Sequence, residues 1–195
     1  VNLLREVEHK RTTRETSIHL RINLDGNGES RVEVGGFLGH MLDTLSRHGM
    51  FDLELKAEVF LDPDGHHTAE DLGIVLGEAI RRSVGQGQGL SRFGHSVVPM
   101  DDALVEVALD LSGRSYCNYD LGPVGDLGVN AFLREFFLGF SRRAEATIHL
   151  RRLAGHDAHH VGEAAFKAFG RALSQAVSPD PRLSGRALST KGVLS

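Results

Sequence analysis

The feature that most restricts the fold is that one segment occurs twice, as His66-His67-Thr68-Ala69-Glu70 and as His159-His160-Val161-Gly162-Glu163. Sliding the 195-residue sequence on itself by 93 positions superimposes the two and also pairs Gly77 with Gly170 and Ala79 with Ala172. A slide of 95 pairs Phe37-Leu38 with Phe132-Leu133 and Ser46-Arg47 with Ser141-Arg142. Matches at nearly one period, running through helix-like, strand-like and motif segments, indicate a duplicated unit.

Local patterning fills in that unit. Alternation predicts strands over Ser17–Asn23, Asp52–Phe60, Ala103–Asp110 and Ala146–Leu153. Helical spacing of apolar residues marks Phe37–Arg47, Ala131–Arg142 and the stretches after Glu70 and Glu163, with turns near Gly26, Gly85–Gly89 and Gly122–Gly128. This order predicts an α+β fold in which each half is a sheet covered on one face by helices. No linker divides the chain, so 1–195 reads as one compact unit, with a first repeat over 1–91 and a second over 92–195.

Composition excludes several functions. A 41% hydrophobic content is enough to bury a core without disulfides. The net charge of -4 provides no broad cationic field for nucleic acid or anionic membranes, so any anionic ligand must be held locally. Cys117 is the only cysteine, which argues against thiolate-rich zinc sites and for a reducing, cytoplasmic compartment. No apolar run reaches the roughly 20 residues of a membrane helix, and no signal peptide is expected at the amino terminus.

The repeated segment points to metal. Residues four apart share a helix face, so Glu70 and Glu163 can act beside a histidine of their own segment, while the adjacent histidine points elsewhere. Two segments then favour two shared ions. Four histidines and two carboxylates without sulfur suit Mn, Fe, Co, Ni or Zn. His40, on an apolar-patterned helix, and His149, in a strand, are candidates to complete the coordination spheres, although each alone reads as an ordinary core or surface histidine. His9, His19, His95 and His156 read as ordinary, and His48 is open.

Several segments in order resemble the imidazoleglycerol-phosphate dehydratase family: Arg11-Thr12-Thr13-Arg14-Glu15-Thr16, Gly36-Phe37-Leu38-Gly39-His40-Met41-Leu42, His66-His67-Thr68-Ala69-Glu70-Asp71, Arg92-Phe93-Gly94, Pro99-Met100-Asp101-Asp102, Leu111-Ser112-Gly113-Arg114, His159-His160-Val161-Gly162-Glu163 and Ser189-Thr190-Lys191-Gly192-Val193-Leu194. The resemblance implies dehydration of imidazole glycerol phosphate to imidazole acetol phosphate in histidine biosynthesis, with two Mn2+ per active site. It carries metal ligation onto His40, His66, His67, Glu70, His149, His159, His160 and Glu163. It carries substrate binding onto Glu15, His40, His48, His66, His67, Arg92, Arg114, Ser189 and Lys191, with Lys167 as a further cation, and implies a homo-oligomer of 24 subunits with sites at subunit contacts. Where the family commonly has Asp before the helix histidine, this chain has Gly39.

The reaction explains the residue types. No carbonyl flanks the reacting carbon, so a simple base is insufficient. A ring held by two metals as imidazolate can expel the neighbouring hydroxide through a diazafulvene-like intermediate. Glu15 is the candidate base, and arginines with a lysine suit the phosphate. Two ions alone would also suit a dinuclear hydrolase or a metal-storage module, and chance histidines on a structural domain are the plain alternative.

Overall fold

The structure, a computed structural model, describes residues 5–122 and 127–192, with 127–130 as backbone only. The first repeat runs β1 (Glu6–Thr12), β2 (Thr16–Asn23), β3 (Ser30–Glu33), α1 (Gly36–Gly49), β4 (Asp52–Val59) and α2 (His66–Val84). The second runs β5 (Phe93–Met100), β6 (Ala103–Asp110), β7 (Tyr116–Asp120), α3 (Leu127–Ala144), β8 (Thr147–Ala154) and α4 (Ala158–Val177). Each builds a four-stranded sheet of the same topology, β1-β2-β4-β3 and β5-β6-β8-β7. Pairing is antiparallel except for the parallel β3/β4 and β7/β8 pairs. The duplication expected from the self-comparison is thus present at the level of strand order.

The four predicted strands are β2, β4, β6 and β8, the central strands of the two sheets. There the alternation is clean: Ile18, Leu20 and Ile22 of β2 are fully buried while His19 and Arg21 point out, and Val105 and Val107 do the same on β6. All four edge strands escaped prediction. On β1 only Val7 is buried, β3 has four residues, and β5 contains Pro99, which an edge strand tolerates because one side of its ladder is unpaired.

Helices occupy the inner face of each sheet: α2 packs on β1 and β2, α4 on β5 and β6, α1 on β3 and α3 on β7. The helices then pair across the repeats, α2 against α3 and α1 against α4. Glycines make these crossings close. A Cβ on Gly77 would lie 2.6 Å from the Phe140 carbonyl oxygen, and one on Gly170 would lie 2.6 Å from that of Leu45. Gly77 and Gly170 are a matched pair of the self-comparison, and so are Leu45 and Phe140 by the 95-residue offset. The same contact is therefore made twice, about a pseudo-twofold axis.

α3 extends beyond the predicted Ala131–Arg142 at both ends, and most of the Gly122–Gly128 turn is either helix or, at 123–126, outside the described residues. Val193 and Leu194 also lie outside them. Among the described residues no helix is long and apolar enough to cross a membrane.

Candidate metal and substrate site

The repeated segments begin the helices α2 and α4. Asp157 caps α4 by accepting from the His160 amide (3.0 Å), which places His159 and His160 in the first turn and Glu163 one turn on. Glu163 Oε2 lies 3.2 Å from Nε2 of both His40 and His159, while Oε1 takes 2.7 Å from Lys167 Nζ. The two imidazoles stack, with centroids 5.6 Å apart. Burial opposes ionisation of Glu163, but hydrogen bonds from Lys167 and His40 outweigh it and hold the carboxyl at about 2. Ligand atoms of His40, His159 and Glu163 all fall within 4.8 Å of one another. This group joins the repeats, since His40 stands on α1 and the other two on α4.

His160 turns the other way. Its Nδ1 is 2.7 Å from Asp102, on the β5–β6 turn, and its Nε2 is 3.5 Å from Asp101. The His156 amide and then the His160 ring hold Asp102 at about 2, and Asp102 in return raises the His160 imidazole. A histidine fixed through Nδ1 by a carboxylate presents Nε2 as its ligand atom.

In the first repeat the segment is looser. Asp62 accepts from the His67 (3.2 Å) and Thr68 (2.7 Å) amides at the start of α2. His67 Nδ1 is buried without a hydrogen-bond partner, 3.6 Å from both Glu15 and Asp62, too far for a hydrogen bond. Glu70 pairs with Arg142 of α3 at 2.7 Å instead of with His66 or His67. Among the described residues, only the His40 group closes around one point.

Arg92, Arg114, Ser189 and Lys191, spread over 100 positions of sequence, line one cavity of about 1060 Å³ together with Gln88 and Ser112. Arg92 is tied to Asp110 (2.7 and 3.0 Å) and donates to the Leu188 carbonyl (2.6 Å), so it also anchors the carboxyl-terminal stretch over the cavity. Lys167 is not among the lining residues; it is engaged with Glu163 and Met100. His48 is half-buried on α1, where burial and then the charges of Lys167 and Arg171 lower its imidazole.

His149 is not brought to any of these groups. Its neighbours Ile148 and Leu150 are buried under the helices, so His149 projects from the outer face of the second sheet, near Tyr116 and Asn118. His19 and His95 likewise face outward, paired with Glu8 and Glu106. One carboxylate outside the predicted set, Glu135, paired with Arg134 at 3.0 Å, stands at an equivalent position. Glu135 follows His40 by 95 positions, the offset that relates α1 to α3, and so holds on α3 the place that His40 holds on α1. The signal lay in that offset, which pairs a histidine with a carboxylate.

Nitrogen and carboxylate ligands without sulfur, and the orphaned Nδ1 of His67, fit a borderline or hard divalent ion. Fold and site together define a duplicated α+β enzyme scaffold in which a histidine–carboxylate group joins α1 of one repeat to the amino end of α4 of the other. The sequence profile described as imidazoleglycerol-phosphate dehydratase matches residues 34–173. Among curated relatives, the imidazoleglycerol-phosphate dehydratase of Thioalkalivibrio sulfidiphilus is 49% identical, over 97% of this chain and 98% of its own length. That of Acidiphilium cryptum is 51% identical over 94% and 96%. The crystal structure of IGPD from Pyrococcus furiosus superimposes with a TM-score of 0.83 at 39% identity, covering 95% of this chain and all of that one. This chain belongs to the imidazoleglycerol-phosphate dehydratase family, and is a hydro-lyase.

Proposed function

We propose that the chain converts imidazole glycerol phosphate to imidazole acetol phosphate in histidine biosynthesis, in the cytoplasm, with two Mn2+ per active site. The observation that carries this reading is the meeting of His40 from one repeat with His159 and Glu163 from the other. The pseudo-twofold supports a second group built from α2, with His66, His67 and Glu70. In it Glu135 takes the place on α3 that His40 has on α1, and we assign that place to Glu135 rather than to His149. His160, held by Asp102, presents Nε2 to the same chemistry. The packing of α1 on α4 and α2 on α3 supports one unit over 1–195, its repeats meeting at 91/92.

When bound, the ions supply Lewis acidity that stabilises negative charge on the substrate ring. Lys167 and His40 keep Glu163 ionised as a ligand. Arg92, Arg114, Ser189 and Lys191 hold the phosphate by charge-assisted hydrogen bonds, and His48 is a further substrate contact. The carboxylate of Glu15, 3.6 Å from His67, takes the proton from the carbon next to the one that loses hydroxide. The electrons of that C–H bond form an enol, which tautomerises to the ketone.

One chain does not bring these parts together on a small substrate. Arg92 sits at the carboxyl end of α4, its amide donating to Ala176, whereas His159 is at the other end, about 25 Å away along the axis. The cavity meets α2 at its carboxyl end too, through Gln88. A site that uses both ends needs a second copy of the chain, which supports a homo-oligomer; the number of 24 subunits rests on the resemblance alone.

Incubating Mn2+-loaded protein with imidazole glycerol phosphate should yield the enolisable ketone. Release of inorganic phosphate without ketone would instead identify a hydrolase. Glu15→Gln should keep its metal and fall to a small residual turnover; full turnover would remove Glu15 from the base role.

A further inference from the structure

Glu15 sits on the turn between β1 and β2, and a side chain on α2 holds that turn. Asp71, only 6% exposed, directly follows Glu70. Its Oδ1 accepts from Arg11 Nε (2.9 Å), and its Oδ2 accepts from the Thr16 hydroxyl (2.6 Å), with a longer contact to that of Thr13 (3.4 Å). Thr13 Oγ1 in turn accepts the amides of Glu15 (3.1 Å) and Thr16 (3.0 Å). Two side-chain links thus lead from Asp71 to the backbone of Glu15. On the far side, the Glu15 carbonyl accepts from the Phe60 (2.7 Å) and Leu61 (3.2 Å) amides, which fixes the turn against the strand beyond.

His67 and Asp71 are four residues apart and therefore share a face of α2. His67 meets the Glu15 carboxylate at 3.6 Å, while Asp71, one turn on, grips the strands on either side of it. The helix that carries the repeated segment thereby sets its own distance to the candidate base. We propose that Asp71 is a positioning residue that holds the Glu15 carboxylate against His67, an inference that rests on Glu15 acting as the base. An ion pair serving stability alone would need Arg11, but not the hydroxyls that bracket Glu15.

The test is a double-mutant cycle in the Mn2+-loaded, full-length protein, combined with amide hydrogen exchange. Asp71→Asn should lower turnover about tenfold or more with bound manganese unchanged, since small misplacement of a reacting group has effects of that order. Exchange at residues 13–16 should accelerate, while that of α4 stays as it was. In the Glu15→Gln background the same substitution should lower residual turnover by less than about twofold, because coupled residues are not additive. Equal losses in both backgrounds, or unchanged exchange at the turn, would overturn the proposal. Full turnover of Glu15→Gln by itself would instead sink the base role, leaving the exchange result to decide whether Asp71 holds the turn. If Asp71→Asn does not fold, Thr16→Val removes one of the two hydroxyl contacts at nearly constant volume and carries the same expectations.

Discussion

Gly39 lies where the first turn of α1 passes under the carbonyl of Val34: a Cβ built on it would stand 2.1 Å from that oxygen. Backbone does not yield as a flexible side chain does. The Asp common at this position in the family therefore has no room here unless the stretch before α1 shifts, which gives a steric reason for glycine. Gly39→Ala is expected to destabilise the protein by about 1–3 kcal/mol through overpacking, seen as a lower midpoint in thermal or chemical denaturation. Because His40 is the next residue, Gly39→Asp should also weaken manganese binding, measurable by metal titration of the purified protein. Unchanged stability in both variants would mean that the Val34 segment relaxes freely.

At the scale of elements, Arg5 ties the start of β1 to the end of α4. It forms two hydrogen bonds to Asp25 (2.9 and 2.8 Å) and donates a third to the Val177 carbonyl (2.9 Å). The hydrogen bond from Arg5 lowers the Asp25 carboxyl below its usual 3.8 although burial opposes it. A depressed carboxylate contributes stability above the unfolded value and loses it as pH falls through the folded one. Asp25 is more than half exposed, so the contribution is below about 1 kcal/mol. Denaturation of wild type and Asp25→Asn should accordingly differ near pH 6 and converge as pH drops below 3.

Central elements were the legible ones. β2, β4, β6 and β8 pair on both sides and alternate cleanly, and four helices carry apolar stripes, so burial is written into their periodicity. The edge strands are charged (β1), short (β3) or carry a proline (β5), devices that keep a bare ladder from inviting further pairing, and this erases the same signal. The candidate site divides likewise. The histidines of α2 and α4 are visible as repeated local segments, whereas Asp71 and Asp102 reach their partners only once the chain has folded their elements beside a turn or a histidine. The place of His149 could be read from the same periodicity. A histidine between two buried residues of a strand lies, by strand alternation, on the face opposite to them.

For the whole molecule, the separation along α4 of the residues proposed to hold metal from those proposed to hold phosphate makes a prediction that no single-chain variant can address. A chain lacking metal ligands (His159→Ala with Glu163→Gln) and a chain lacking cavity cations (Arg92→Ala with Arg114→Ala) should each be inactive. Co-assembled at equal amounts, they should recover about a quarter of wild-type activity, because that share of sites draws an intact group from each partner under random mixing. No recovery from verified mixed assemblies would place both groups in one chain.

The glycine crossings bear on what each half would be by itself. Since α1 lies against α4 and α2 against α3, either repeat alone would show solvent the bare seam that it now presses into its counterpart. The arrangement is that of a homodimer whose two protomers were joined end to end, with the connection near Leu90 buried and bridged to the stretch after α4 through Gln88–Ala187 and Leu90–Pro179. Supplied as two polypeptides split there, the halves would be expected to find each other in solution and rebuild the His40, His159 and Glu163 cluster by association alone.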